Sequence, residues 1–182
     1  MSTRCVILTL IALTLNCGAP ETSSDAKAHL KRGIELDLSE DHNGAIEEFR
    51  RAIRLKPDYG EAYERLGNQL LLKGDFTGAI ATYREGIRVQ PNDNELHYAL
   101  GFALQHKGDP NGAIPELREA IRLKPRDESA HYHLGACLEM IGDKQGALEE
   151  YRISHDLSHA GYDATHGNFE RLSKELKKKA RP

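Results

Sequence analysis

Gly33, Gly67, Gly101 and Gly135 stand 34 residues apart, and Ala45, Ala79, Ala113 and Ala147 keep the same step. A period shared by unrelated residue types means one structural unit copied four times, and it constrains the architecture before any propensity is weighed. A unit of that length cannot bury its own apolar face. Its copies must stack and share a core along the chain.

The 182 residues suffice for such a continuous core. Hydrophobic residues make up 39% and charged residues 29%, the balance of an ordered body rather than a disordered tail. Formal net charge is −3, from 25 basic and 28 acidic residues, so no basic stripe is available to neutralise phosphates and no nucleic-acid partner is expected. Tryptophan is absent and aromatics are 6%, which leaves few platforms on which bases could stack. No Gly-x-Ser-x-Gly elbow, phosphate-cradling loop or His-Glu-x-x-His pair is written in the chain. An enzyme, a small-molecule substrate and a cofactor are therefore not expected. The three cysteines, Cys5, Cys17 and Cys137, form no Cys-x-x-Cys pair, and Cys137 reads as a core filler within a helix.

Each unit carries two stretches of helical period separated by turn residues. In the second unit Tyr63, Leu66, Gly67 and Leu70 share one face of a first helix. Lys73-Gly74-Asp75 breaks the pattern, and Ala79, Tyr83 and Ile87 lead to a stop at Pro91. Gly74 suits a left-handed helix end and Asp75 the cap of the next helix, and Gly108-Asp109 and Gly142-Asp143 repeat the device. The first unit has the weaker punctuation Glu40-Asp41-His42-Asn43. Gly67 is expected to meet Ala79 at the closest approach of the two helices, and Pro115 to kink or delay the second helix of unit three.

These residues resemble the tetratricopeptide repeat. Tyr63, Leu66-Gly67, Ala79, Tyr83 and Pro91 meet its pattern of large apolar residue, Leu-Gly, alanine, aromatic and closing proline. Leu100-Gly101, Ala113, Leu117, Ala120 and Pro125 repeat it, as do Leu134-Gly135, Ala147 and Tyr151, and in the first unit Gly33, Ala45, Phe49, Ala52 and Pro57. The resemblance implies an all-α fold, a right-handed α-α superhelix of four helical hairpins plus a C-terminal capping helix. The units span 26–59, 60–93, 94–127 and 128–161. Residues 162–182 supply the lid and a basic tail, with Phe169, Leu172 and Leu176 on one face of a helix over 168–179.

Near the start, Arg4 is followed by CVILTLIALTL, an uncharged run too short for a conventional span of about 20 apolar residues. Leu13 to Gly18 resembles a bacterial lipoprotein signal. That family removes the leader, here 1–16, and lipidates the cysteine, here Cys17, with 17–25 left as a flexible tether. Asn16 departs from the small residue usual before that cysteine. The resemblance implies a bacterial cell-envelope protein facing the periplasm, held to a membrane by its lipid. A soluble secreted or periplasmic protein is the alternative.

In the repeat family the first helices line a concave face that holds another protein. The stripe offset from the packed face comprises Leu30 and Ile34; Glu61, Glu64 and Asn68; Glu95, Tyr98, Phe102 and Gln105; and Tyr132 and Glu139. Tyr98, Phe102 and Tyr132 either line this groove or pack on the adjacent repeat. Glu61, Glu64 and Glu95 favour basic side chains in a bound peptide. The family's chaperone-type carboxylate clamp is not present as a set. Its asparagine ladder is replaced by Lys31, Arg65, Ala99 and His133. The competing reading is an exported or cytosolic accessory protein with a histidine metal site in its last third. His155 and His159 are four apart there, with Asp163 or His166 as a third ligand, but no complete ligand motif is present and no metal is expected. Otherwise His159 stands at a helix end where a cation is welcome, and His131, His133, His155 and His166 read as solvated.

Overall fold

A computed structural model describes residues 23–158 and 164–179. The leader, Cys17 and His159 lie outside them, as does most of the expected tether. The chain forms α1 Ser23–Leu38, α2 His42–Leu55, α3 Gly60–Leu72, α4 Phe76–Val89, α5 Asn94–His106, α6 Pro110–Leu123, α7 Glu128–Met140, α8 Lys144–Leu157 and α9 Ala164–Lys179. Among the described residues there is no strand, and no helix is long and apolar enough to cross a membrane. The first helix takes in Ser23 to Asp25, which the sequence had assigned to the tether.

Helices α1 and α2, α3 and α4, α5 and α6, and α7 and α8 pair most extensively, and each hairpin then packs on the next. The result is the all-α superhelix with a lid. First helices α3, α5 and α7 also approach one another across the repeats, more closely than the second helices do. That inequality bends the stack and makes its first-helix side concave. On the outer side a crevice of about 350 Å³ opens between α2 and α4.

Local chemistry sets the length of each helix. Asp41, Asp75, Asp109 and Asp143 cap the second helices, each carboxylate accepting from a glycine N–H three residues on at 2.8–2.9 Å. The preceding helices end on left-handed Gly74, Gly108 and Gly142, with φ of 76, 83 and 89°. In the first unit Glu40 takes that conformation at φ 63°, although Asp41 caps α2 as its counterparts do. The punctuation there is thus intact, at the cost of a strained side-chain-bearing residue. Pro115 lies inside α6, which runs without interruption from Pro110 to Leu123, so the expected late start is not found. Its ring forfeits one backbone bond near the helix start and faces outward as an exposed residue.

The closest approach within each hairpin differs from expectation. Gly67 meets the ring of Tyr83, not Ala79: a Cβ on Gly67 would stand 2.2 Å from it. Gly33 meets Phe49, Gly101 meets Leu117 and Gly135 meets Tyr151 in the same way, always sixteen residues on. These four large side chains are at most 1% exposed. The missing side chain on one helix is the socket for the largest side chain of the other. At the end of the stack, α9 lays Leu172, fully buried, and the partly buried Phe169 and Leu176 against the last hairpin.

A second device joins repeat to repeat. His97 Nδ1 lies 2.8 Å from Glu116 of α6, while its Nε2 lies 3.0 Å from the carbonyl of Pro91, which closes the preceding unit. His131 repeats this with Glu150 at 2.7 Å and Pro125 at 3.2 Å. His29 meets Glu48 at 2.6 Å. Tyr63, at the same repeat position, donates its hydroxyl to Pro57 at 3.1 Å. Both nitrogens of His97 face acceptors, as do both of His131, whose ring serves them fully only as an imidazolium. His131 is thus buried and not solvated as the sequence suggested. The bond to Glu150 raises the pKa of His131 above its ordinary value, with the Pro125 carbonyl and the charges of Glu150 and Asp127 in support and burial opposing.

Two outcomes follow from this packing. Gly67→Ala forces the Tyr83 ring aside and should cost roughly 1–3 kcal/mol in urea unfolding. The stabilisation from a raised histidine pKa is complete below the unfolded value of about 6.5 and is lost as pH rises through the folded one. Thermal melts should therefore show stability falling on that rise, with a smaller slope in His131→Gln than in the wild type.

Candidate functional site

The concave face holds a cavity of about 220 Å³. Glu64, Asn68 and Leu71 of α3 form one wall, Glu95, Tyr98, Ala99 and Phe102 of α5 the other, and Tyr83 of α4 the floor. The i, i+3, i+4 spacing of a helix surface explains how so few residues make each wall. Tyr83 thus has two roles: its ring fills the socket at Gly67, and its hydroxyl reaches through to the groove.

That hydroxyl starts a short relay. Tyr83 Oη donates to Asn68 Oδ1 at 2.6 Å, which turns the Asn68 amide so that Nδ2 donates to Glu64 Oε1 at 3.3 Å. Burial and the charge of Glu64 push the Tyr83 phenol well above its usual pKa, so it remains a donor. Burial also raises the pKa of Glu64, and the nearby charges of Glu95 and Asp93 add to it, against Arg65 and the Asn68 bond. The cavity is therefore an apolar recess with one oriented, partly desolvated carboxylate and a second acidic group at its edge.

Beyond it the rings form a continuous bank. Tyr98 and Phe102 have centroids 6.3 Å apart, and His133 of α7 meets Phe102 edge-on at 5.0 Å and Tyr98 at 5.8 Å. On its other side His133 meets Tyr132 edge-on at 5.2 Å, so it stands between Tyr98 and Tyr132. His106 packs on Phe102 at 4.0 Å. Tyr98 and Phe102 line the cavity and also pack on His133 of the adjacent repeat. His133 Nδ1 donates to Gln105 Oε1 at 2.7 Å. Burial, and then the charge on His106, lower its pKa to about 4, which keeps it a neutral ring. The sequence showed His133 as a missing asparagine and as a solvated ring, whereas the structure packs it among Tyr98, Phe102 and Tyr132. Its place next to Tyr132, one repeat after Ala99, was the available signal.

The other stripe residues are placed differently. Leu30, 5% exposed, belongs to the core and not to the groove, and Ile34 packs against that core. Glu61 holds Arg65 at 3.8 Å and does not line the cavity. Gln105 supports His133. Tyr132 accepts a bond from Asn168 of α9 at 3.3 Å and lies 5.7 Å from Tyr151. Glu139 is bound by Arg171 of α9 at 2.7 and 2.8 Å and accepts from Tyr151 Oη at 3.2 Å. The lid therefore occupies the groove's far end, and the accessible part is the α3–α5 cavity. His155 stacks on Phe169 at 5.8 Å, and among the described residues no three potential ligands converge on a metal position. Cys137 is fully buried, and burial raises its thiol to about 11, too high for a nucleophile at neutral pH.

Three tetratricopeptide-repeat models match residues 26–59, 67–108 and 98–154. Among solved structures the chain is similar to MamA, with 22% identity over 86% of this chain and 91% of that one, and a TM-score of 0.72. It is similar also to YrrB, described as a TPR protein with an unusual peptide-binding site, with 20% identity over 89% and 87% of the two chains and a TM-score of 0.73. The first TPR of Spaghetti (RPAP3), bound to the HSP90 peptide SRMEEVD, has 18% identity over 65% and 93%, with a TM-score of 0.62. No curated protein sequence matches the chain. At these identities the likeness concerns the fold.

The burial of His133 gives a direct check. In a nuclear magnetic resonance titration its ring signals should stay unchanged from neutral pH down to about 5 and move with a midpoint of about 4.

Proposed function

We propose, from the premise that this chain is a tetratricopeptide-repeat protein, that it is a non-enzymatic scaffold whose concave groove holds a segment of another protein. The observation that carries this is the α3–α5 cavity, where Tyr98 and Phe102 present aromatic faces beside the oriented carboxylate of Glu64. Aromatic residues supply a large contact area at little entropic cost, and a few placed polar groups fix orientation. An extended or helical segment lying across α3 and α5 would bury one side chain in the cavity and rest its neighbours on the ring bank. Such a site binds and releases. It performs no bond chemistry.

We further propose that the scaffold is tethered to a bacterial envelope membrane through Cys17 and faces the periplasm. The support is the charge pattern and cysteine placement of the first 17 residues. A tether confines the groove to a thin layer, which raises its effective concentration toward partners in the same membrane.

Both parts have tests. A photo-crosslinking residue at Leu71 should capture a polypeptide in envelope-bearing cells. The double variant Tyr98→Ala, Phe102→Ala should reduce capture about tenfold while keeping its helical circular dichroism. Undiminished capture by that variant would remove the groove reading. Radiolabelled fatty acid should enter the full chain in a bacterial host and be lost in Cys17→Ser; a soluble, unlabelled wild type would remove the tether.

A further inference from the structure

We infer that the α3–α5 cavity is a subsite for one cationic side chain, a lysine or arginine of the bound segment, with its positive head at Glu64 and Glu95 and its stem along Tyr98 and Phe102. This rests on the groove reading above and narrows it to a partner chemistry.

Size is the first argument. At about 220 Å³ the cavity is smaller than the roughly 300–1,000 Å³ that encloses a drug-sized molecule. It suits a single long side chain entering from the open face.

Charge is the second. Among the described residues Glu64 makes no ion pair, and its hydrogen bond comes from the neutral amide of Asn68. Arg65, the nearest opposite charge on its own helix, lies against Glu61 at 3.8 Å. Glu95 pairs with Lys124 at 3.4 Å, with both side chains about half exposed, a contact weak enough to be exchanged. Asp93 adds a third negative group while capping α5. A partly desolvated carboxylate with no contact ion pair, eased only through space by Arg65, is unfavourable, and a cation brought by the ligand offsets that cost. An apolar side chain would desolvate Glu64 further without compensation, and an acidic one would meet repulsion. The cavity thus discriminates by sign.

Ring placement is the third argument. Tyr98 and Phe102 lie on the same wall as Glu95, so a methylene stem or guanidinium plane meets aromatic faces while its head reaches carboxylates. The Tyr83–Asn68–Glu64 relay holds the acceptor in place before the ligand arrives, which lowers the cost of ordering it.

The test begins by selecting binders to the full chain from a random peptide display library. Selected peptides should carry a lysine or arginine that cannot be replaced. Changing that residue to norleucine, which keeps the stem and removes the charge, should weaken binding about tenfold. Glu64→Gln should do the same, and the two changes together should cost little more than either alone. Binding should also weaken as pH falls through the raised pKa of Glu64, because the protonated acid no longer attracts the cation. If norleucine binds within about twofold while Tyr98→Ala, Phe102→Ala abolishes binding, the cationic subsite falls and the groove stands. If the double variant binds as well as wild type, or no peptide is enriched, both fall. The norleucine arm changes only the peptide, so its result is independent of any effect of Glu64→Gln on folding.

Discussion

The contact between a glycine on each first helix and the large side chain sixteen residues later on the second governs the rest of the molecule. Gly67 and Tyr83 define it: the ring occupies the space a Cβ would need, and the two helices close to the distance that this overlap allows. Four such sockets of nearly the same depth give four hairpins of nearly the same shape. Hairpins of one shape stack with one repeated rotation, and a repeated rotation makes a superhelix with an inner and an outer side. A single enlarged socket would disturb its own hairpin and the seams on both flanks.

Polar groups fix what the sockets leave free. Aspartate caps and left-handed glycines set where each helix begins and ends, so the apolar stripes arrive in register. The histidines at 97 and 131 then tie the closing proline of one unit to the second helix of the next. Each occupies both ring nitrogens in doing so, and at the last junction the bond to Glu150 also raises the pKa of His131. The second unit uses Tyr63 for the same link to the proline, and has Thr82 where the glutamate would stand. The outer crevice between α2 and α4 opens at that departure.

The groove follows from the same geometry. Tyr83 fills a socket at one end and orients Asn68 and Glu64 at the other, so the residue that sets the hairpin also sets the polarity of the cavity. The lid limits the accessible surface by engaging Tyr132 and Glu139. The open part of the groove is thereby confined to the cavity between α3 and α5.

The period of 34 residues, the aspartate caps and the Leu-Gly steps determined the all-α hairpin stack without coordinates, because each is a local requirement repeated in register. Glu64, Asn68, Glu95, Tyr98 and Phe102 were likewise legible as a stripe, since helical spacing alone puts them on one side. Tertiary structure decided what spacing cannot. It gave Gly67 to Tyr83 rather than Ala79, sent Leu30 into the core, and set His133 between Tyr98 and Tyr132. It also let α9 take Tyr132 and Glu139 from the groove. Each of these depends on the rotation between packed helices, a quantity fixed by side-chain volumes meeting across the chain and by no residue's own propensity.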